Sequence, residues 1–78
     1  MKRIKSNLKP LADARGLSVR QIARDIDYRF ESVRQLYNDE SRQFPRDLLD
    51  KVCNYFHCDI SELLVLTEYE IEQKEPQE

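Results

Sequence analysis

Five side chains between positions 29 and 35 have the chemistry needed to read the edges of base pairs in double-stranded DNA: Arg29, Phe30, Glu31, Arg34 and Gln35. Arginine pairs with guanine, glutamine with adenine, and glutamate accepts a hydrogen bond from the amino group of cytosine, while an aromatic ring contacts thymine methyl groups. In a helix over 29–37, Arg34 and Gln35 lie about one turn beyond Glu31. We therefore interpret this set as candidate base contacts if the segment enters a DNA groove.

A second set of polar and basic side chains brackets this segment in the sequence: Arg20, Gln21, Asn38, Arg42 and Arg46. Side chains of these types supply many of the contacts that proteins make to DNA phosphates. We interpret them as candidate phosphate contacts, with the arginines as the better candidates. For each one taken alone, an ordinary exposed role is the open alternative.

The stretch 18–38 predicts two short amphipathic helices joined by a tight turn. Ser18 is a good N-cap, and Ile22, Ala23 and Ile26 then share one face. Asp27 stands where the chain must reverse, and aspartate tolerates the left-handed backbone region better than most residues. A small residue at position 23 lets two helices cross closely. With Val33 and Leu36 on the inner face of the second helix, the pattern predicts a helix-turn-helix over 19–26 and 29–37.

Three further helices are predicted around this pair. The first, at about 7–15, tolerates Pro10 at its third position and ends at Gly16. The fourth, at about 46–56, has a continuous apolar stripe. The fifth begins after Asp59, which forms a capping-box pattern with Glu62. Phe44 and Tyr28 are expected in the core, together with Ile60 and the inward-pointing Ile4.

The period changes from helical to two after Leu64. Every second residue from position 65 is β-branched or aromatic: Val65, Thr67, Tyr69 and Ile71. The residues between them are a leucine and glutamates. This alternation indicates a strand, and a frayed helical extension is the alternative. A strand here needs a partner, either its copy in a second subunit or the 2–6 arm. We therefore divide the chain into a domain over 1–66 and an acidic tail over 67–78. The tail is a possible dimerisation segment, with disorder expected over 73–78.

Charge is distributed unevenly along the chain. The 78 residues have a net charge of −2, but residues 1–46 hold 11 Lys and Arg against 6 Asp and Glu, whereas residues 47–78 hold 2 against 9. A net +5 in the first part coincides with the candidate DNA contacts. The sequence therefore predicts one basic face in spite of its acidic pI.

Several function classes are not supported by the sequence. His57 is the single histidine, and no nucleophile pattern surrounds it, so we expect no enzyme. Cys53 and Cys58 flank it at a spacing that matches no common zinc pattern, and we expect no metal or cofactor. No apolar run exceeds a few residues, and no apolar core follows the N-terminal basic residues, so neither a membrane span nor a secretory signal is predicted. A cytoplasmic location follows as an expectation.

Two long stretches resemble one known family. The stretch GLSVRQIARDIDYRFESVRQLYN is similar to the helix-turn-helix of the Cro/CI (lambda-repressor-like) family, and PRDLLDKVCNYFHCDISELL resembles that family's last two helices. Together they place the resemblance over residues 4–66. The chain departs from the family pattern at three positions. Asp27 stands in place of the usual turn glycine, Val19 in place of a phosphate-bridging glutamine, and Glu31 turns a negative charge toward the groove.

The resemblance implies an all-α, compact five-helix domain that binds double-stranded DNA in a bacterial, archaeal or phage setting. It implies a sequence-specific transcriptional regulator, a small homodimeric repressor whose helix 29–37 reads the major groove. Phe30 and Glu31 then occupy the positions that most often contact base edges. The alternative is a protein-interaction module, an antirepressor or adaptor, in which Phe30 and the acidic tail bind a regulatory protein partner.

Overall fold

The computed structural model describes residues 2–68, which form five short helices and a two-stranded sheet. The elements follow in the order β1 (Lys2–Ser6), α1 (Leu8–Arg15), α2 (Val19–Ile26), α3 (Phe30–Tyr37), α4 (Arg46–Phe56), α5 (Ile60–Leu63) and β2 (Leu64–Glu68). The helices agree with the predicted bounds to within a residue or so, which is the usual uncertainty of a helix end. Within this range no helix is long and apolar enough to cross a membrane.

One apolar core holds the helices together. Its buried members come from all five helices at helical spacing: Leu8, Ala12, Ile22, Ala23, Ile26, Val33, Leu36, Leu48, Val52, Phe56 and Leu63. Tyr28, Phe44 and Leu49 are partly buried against this cluster. Burial of apolar surface is the main stabilising term for a domain of this size, so α2 and α3 owe their relative position chiefly to these contacts.

The helix ends follow the predicted local signals. The Ser18 hydroxyl accepts a hydrogen bond from the Gln21 N–H at 3.1 Å, which caps α2. Gly16 ends α1 in the left-handed conformation with φ 66°, and Asp27 ends α2 in the same conformation with φ 57°. Asp59 and Glu62 form the reciprocal capping box of α5. These ends fix the short loops that orient consecutive helices.

The two strands decide between the alternatives for residues 65–68, the described part of the segment 65–72. β1 and β2 pair antiparallel, with Lys2 opposite Glu68 and Ser6 opposite Leu64. The predicted strand is therefore confirmed over the described part, its partner is the 2–6 arm, and the fold adds a small sheet to the helical bundle. β2 runs through the predicted domain boundary at residue 66. The predictions for residues 69–78 lie outside the described residues.

Two predicted core residues are instead exposed. Ile4 shares a face of β1 with Ser6, but it pairs with Leu66, which is itself 59% exposed, on a part of the sheet that the core does not cover, so Ile4 is 48% exposed. Ser6, at the end of β1 next to α1, is the buried residue of the strand. Ile60 is 50% exposed because it is the first residue of α5, and Leu63 is the residue of this helix that is buried in the core.

Candidate nucleic-acid interface

The turn between α2 and α3 is short and fully hydrogen-bonded. The Asp27 N–H donates to the Arg24 carbonyl at 3.2 Å, and the Tyr28 N–H donates to the Ala23 carbonyl at 2.9 Å. The left-handed backbone at Asp27 makes these bonds possible because it turns the chain back over the helix end. The Tyr28 hydroxyl then donates to an Asp47 oxygen at 3.1 Å, which ties the turn to α4.

Helix α3 is held by packing more than by its ends. Val33 and Leu36 are fully buried, which fixes the inner face of the helix. Its N-cap is Arg29, whose side chain makes no capping hydrogen bond. An arginine cannot accept a hydrogen bond from the first-turn N–H groups, so those groups stay available to an anionic partner such as a DNA phosphate. The side of α3 opposite Val33 and Leu36 faces solvent, where a ligand can contact it.

The exposed side of α3 brings Glu31, Arg34 and Gln35 into contact with one another. Arg34 Nε donates to Glu31 Oε1 at 3.1 Å, and Arg34 Nη2 donates to Glu31 Oε2 at 2.5 Å. Gln35 Nε2 donates to the same carboxylate at 3.4 Å. The hydrogen bond from Arg34 lowers the pKa of Glu31, so this carboxylate is ionised near neutral pH. All three side chains can exchange these bonds for bonds to bases.

Phe30 and Arg20 form a second contact, at the start of α3. The Arg20 guanidinium lies over the Phe30 ring, 4.8 Å from its centroid. Phe30 is 37% exposed, so part of the ring remains open to solvent. The cation–π contact joins the first turn of α2 to the start of α3. It places a positive charge and an apolar surface side by side where both helices meet solvent.

A polar groove of about 390 Å³ runs from the start of α3 to the loop before α4. It is lined by Arg29, Ser32, Gln35, Glu40, Ser41, Arg42, Gln43, Pro45 and Leu48. The groove brings Arg42, a predicted phosphate contact, together with the predicted base contacts Arg29 and Gln35. Guanidinium and hydroxyl groups lining one groove suit the phosphate backbone of a nucleic acid.

Three of the predicted phosphate contacts lie elsewhere. The Gln21 amide donates to the Asp25 carboxylate on its own helix, at 3.1 and 3.3 Å. Asn38 is the C-cap of α3 and lines a depression with β1 and α1. Arg46 opens α4 beside Phe44 and Cys53. Their assignment to DNA stays a prediction, and the structure does not join them to the groove.

Sequence reasoning missed six of the nine residues that line the groove, among them Ser32 and Glu40. Ser32 lies three positions after Arg29 and three before Gln35, so helical spacing alone places it on the same side. Glu40 comes within 3.5 Å of the Arg34 guanidinium. Its position depends on the chain reversal at Asp39, which has φ 60°, and no spacing rule indicated that reversal.

No metal centre is found among the residues that the structure describes. Within 2–68 no group of three or more His, Cys, Asp or Glu side chains is placed to hold a metal ion. Cys53 and Cys58 are both free thiols. Burial, followed by the nearby Cys53, raises the pKa of Cys58 to about 11, so this thiol is protonated at neutral pH.

A five-helix bundle with a capped α2, a tight turn and an exposed polar α3 defines a helix-turn-helix domain. A family model for the Cro/C1-type HTH DNA-binding domain matches residues 7–68, and the chain belongs to this family. The fold is also similar to the crystal structure of the transcriptional regulator VanUg, with a TM-score of 0.70 over 87% of this chain and 89% of that one. The two sequences are 17% identical, so this likeness concerns the fold. A comparison with curated protein sequences gave no match.

Proposed function

We propose that this chain is a sequence-specific DNA-binding transcriptional regulator that reads the major groove with α3. The observation that supports this most strongly is the exposed face of α3. Within the family's scaffold, it gathers Glu31, Arg34 and Gln35 beside a groove lined by Arg29 and Arg42. Base-reading side chains next to phosphate-binding ones are what a recognition helix requires. In this proposal the chain has no catalytic role and acts in the cytoplasm of a prokaryote or of a phage-infected cell.

The regulator acts as a small repressor and as a homodimer in this proposal. A helix of eight residues touches only a few base pairs, so one copy cannot select a single operator. Two copies on half-sites about 34 Å apart supply the missing affinity and specificity. Repression requires only that the regulator occupies an operator that overlaps a promoter.

The sheet is the surface that we propose for the second copy. Ile4 and Leu66 lie opposite each other in the β1–β2 register, and both are about half exposed. β1 has three basic residues and β2 has one acidic residue, Glu68, so in a two-fold dimer charges of both signs lie at the margins of the apolar patch. Such a self-complementary apolar patch with charged margins is typical of a dimer interface.

Light scattering after gel filtration tests this dimer. We expect a dimer for the wild type and a monomer for Leu66→Lys, with circular dichroism showing that the helices remain. Ile60→Lys is the matched control because Ile60 is 50% exposed, close to the 59% of Leu66, but lies on α5. A Leu66→Lys dimer would place the interface elsewhere, and a wild-type monomer at every concentration would exclude homodimerisation.

Selection of duplexes from a random pool tests DNA recognition. We expect enrichment of a roughly palindromic motif, whose affinity, measured by fluorescence anisotropy, falls steeply as salt rises. Placing the enriched duplex over a promoter in a purified transcription reaction should then reduce transcript, whereas an activator would increase it. No enrichment, together with little binding at low salt, would contradict the proposal.

A protein-interaction role is the second candidate, and one observation favours it. The guanidinium of Arg34 is already paired with Glu31 and lies near Glu40, so the exposed face of α3 is less basic than its arginines suggest. Phe30 offers an exposed ring beside this face. A chain with this function would bind no duplex but would lose its partner protein when Phe30 is changed to Ala.

A further inference from the structure

Two carboxylates, not one, surround the arginine that we assign to base reading. Nε and Nη2 of Arg34 donate to Glu31, and Nη1 lies 3.5 Å from Glu40 Oε1. The edges of the guanidinium that would bind a guanine therefore already face acidic groups. Glu31 is a neighbour on the same helix, whereas Glu40 reaches Arg34 from the loop that follows.

The backbone holds Glu40 in this place. Asp39 adopts the left-handed conformation with φ 60°, and the Glu40 N–H donates to the Gln35 carbonyl at 2.8 Å. The Asp39 carboxylate accepts a hydrogen bond from the Ser6 N–H at 2.9 Å, which ties this turn to β1. Glu40 thus meets Arg34 because the chain reverses at a defined point, with the turn anchored at both ends.

The contact is weak enough to be exchanged for DNA. The side chains of Arg34 and Glu40 are 36% and 58% exposed, and ion pairs at such positions add little to stability. A DNA phosphate is an anion, as the carboxylates of Glu31 and Glu40 are, and the negative charge of Glu40 repels the phosphate when it approaches Arg34. A guanine accepts hydrogen bonds from two N–H groups of Arg34, and the amino group of an adjacent cytosine can donate to Glu31. The exchange is thus more favourable at a matching base than at the backbone.

We propose that Glu40 is a specificity-determining residue that acts through Arg34. It keeps the guanidinium from general phosphate contacts, so Arg34 is released mainly to a matching base pair. This inference rests on the proposed function, because it presumes that α3 enters the major groove. Glu40 is a positioning residue in this role and makes no contact with bases of its own.

The test compares Glu40→Gln with the wild type on two probes, the duplex enriched by selection and a mixed-sequence duplex pool. We expect Glu40→Gln to bind the pool about two- to five-fold more tightly, with a smaller gain on the enriched duplex, so that the ratio of the two affinities falls. The salt dependence on the pool should steepen by about one phosphate contact. Asp50→Asn is the matched control, since it removes one exposed negative charge on α4, and it should leave the ratio unchanged.

A double mutant shows whether the effect passes through Arg34. In an Arg34→Ala background, Glu40→Gln should no longer alter the affinity ratio. An unchanged ratio for Glu40→Gln, or an effect that persists without Arg34, would overturn the role of Glu40 while the wild type still selects its duplex. Failure of both the wild type and Glu40→Gln to bind any duplex at low salt would instead overturn the proposed function. Binding of duplexes by the variant alone would also overturn the specificity role, because Glu40 would then block Arg34 from bases as well as from phosphates.

Discussion

Helices α2 and α3 have the same length but use their polar residues differently. On α2, Ser18 caps the helix, and Asp25 accepts a hydrogen bond from the Tyr55 hydroxyl of α4. On the exposed side of α3, Glu31 and Arg34 bind each other, and among the residues that the structure describes only Tyr37 at the end of the helix donates to another helix, at Asp13 of α1. Breaking the contact of Ser18 or of Asp25 with Tyr55 therefore loosens the fold, whereas breaking the pair of Glu31 and Arg34 frees side chains for a ligand. Helix α2 thus stabilises the fold that positions α3, and α3 has side chains that are available to bind a ligand.

The largest effect is expected from removing the apolar packing that holds both helices in the fold. Leu36→Ala leaves a cavity under α3, because Leu36 is fully buried. We expect the free energy of unfolding to fall by about 2–5 kcal/mol, with a similar loss for Ile22→Ala on α2. Urea denaturation measures both. A loss below about 1 kcal/mol for Leu36→Ala would mean that packing does not hold α3 in place.

DNA binding should separate the residues of α3 from those of the flanking loop. Arg34→Ala should reduce the discrimination between the enriched duplex and a mixed pool by about 1–3 kcal/mol, because it removes the base contact that we propose. Arg42→Ala should weaken all duplexes alike and reduce the salt dependence by about one phosphate. Anisotropy titrations across a salt series measure both effects. Equal loss on all sequences with Arg34→Ala would remove its assignment as a base reader.

The N-caps of α2 and α3 also differ, with a smaller expected effect on the free energy of unfolding. Ser18→Ala should lower the free energy of unfolding by about 1 kcal/mol, since the first turn of α2 loses its hydroxyl acceptor. Arg29→Ala is the matched change on α3 and should have little effect on stability, because Arg29 makes no capping bond. Thermal and urea unfolding test the pair. A larger loss for Arg29→Ala than for Ser18→Ala would reverse the roles that we assign to the two N-termini.

The pH dependence of stability gives the smallest effect. Hydrogen bonds from Tyr55 and then Gln21 lower the pKa of Asp25 in the folded chain. A lowered folded-state pKa stabilises the protein above the unfolded value of about 4, and this contribution disappears as the pH falls through the folded value. Tyr55→Phe should therefore cost stability near neutral pH and progressively less below about pH 4. Urea unfolding at several pH values checks this, and a cost that does not vary with pH would exclude Asp25 as its source.

Local features of the fold were predictable from the sequence, whereas long-range ones were not. The helix bounds, the Ser18 cap and the left-handed turn at Asp27 follow from residues that are close in the chain. The exposure of Ile4 was predicted wrongly because it depends on a strand register with Leu66, at the far end of the described chain. Glu40 was missed as a partner of Arg34 for a related reason, since the turn at Asp39 decides which way it points.

The candidate site was predicted in its residue types but not in its pairings. Helical spacing places Arg34, Gln35 and Glu31 on one exposed side, as the structure has them. Spacing gives no information on which of them hydrogen-bond to each other, because that depends on side-chain conformations. It likewise did not separate Arg42, which lines the groove beside α3, from Arg46, which opens α4 on another side.

The claim that α3 is the DNA-reading element can be tested most directly by nuclear magnetic resonance. Uniformly ¹⁵N-labelled protein is titrated with the enriched duplex, and the backbone amide shifts are mapped on the fold. We expect the largest changes in α3, in the first turn of α2 and around Arg42, with α5 and the sheet little affected. Changes confined to the sheet or α5, or no changes at all, would contradict the assignment of α3 as the recognition helix.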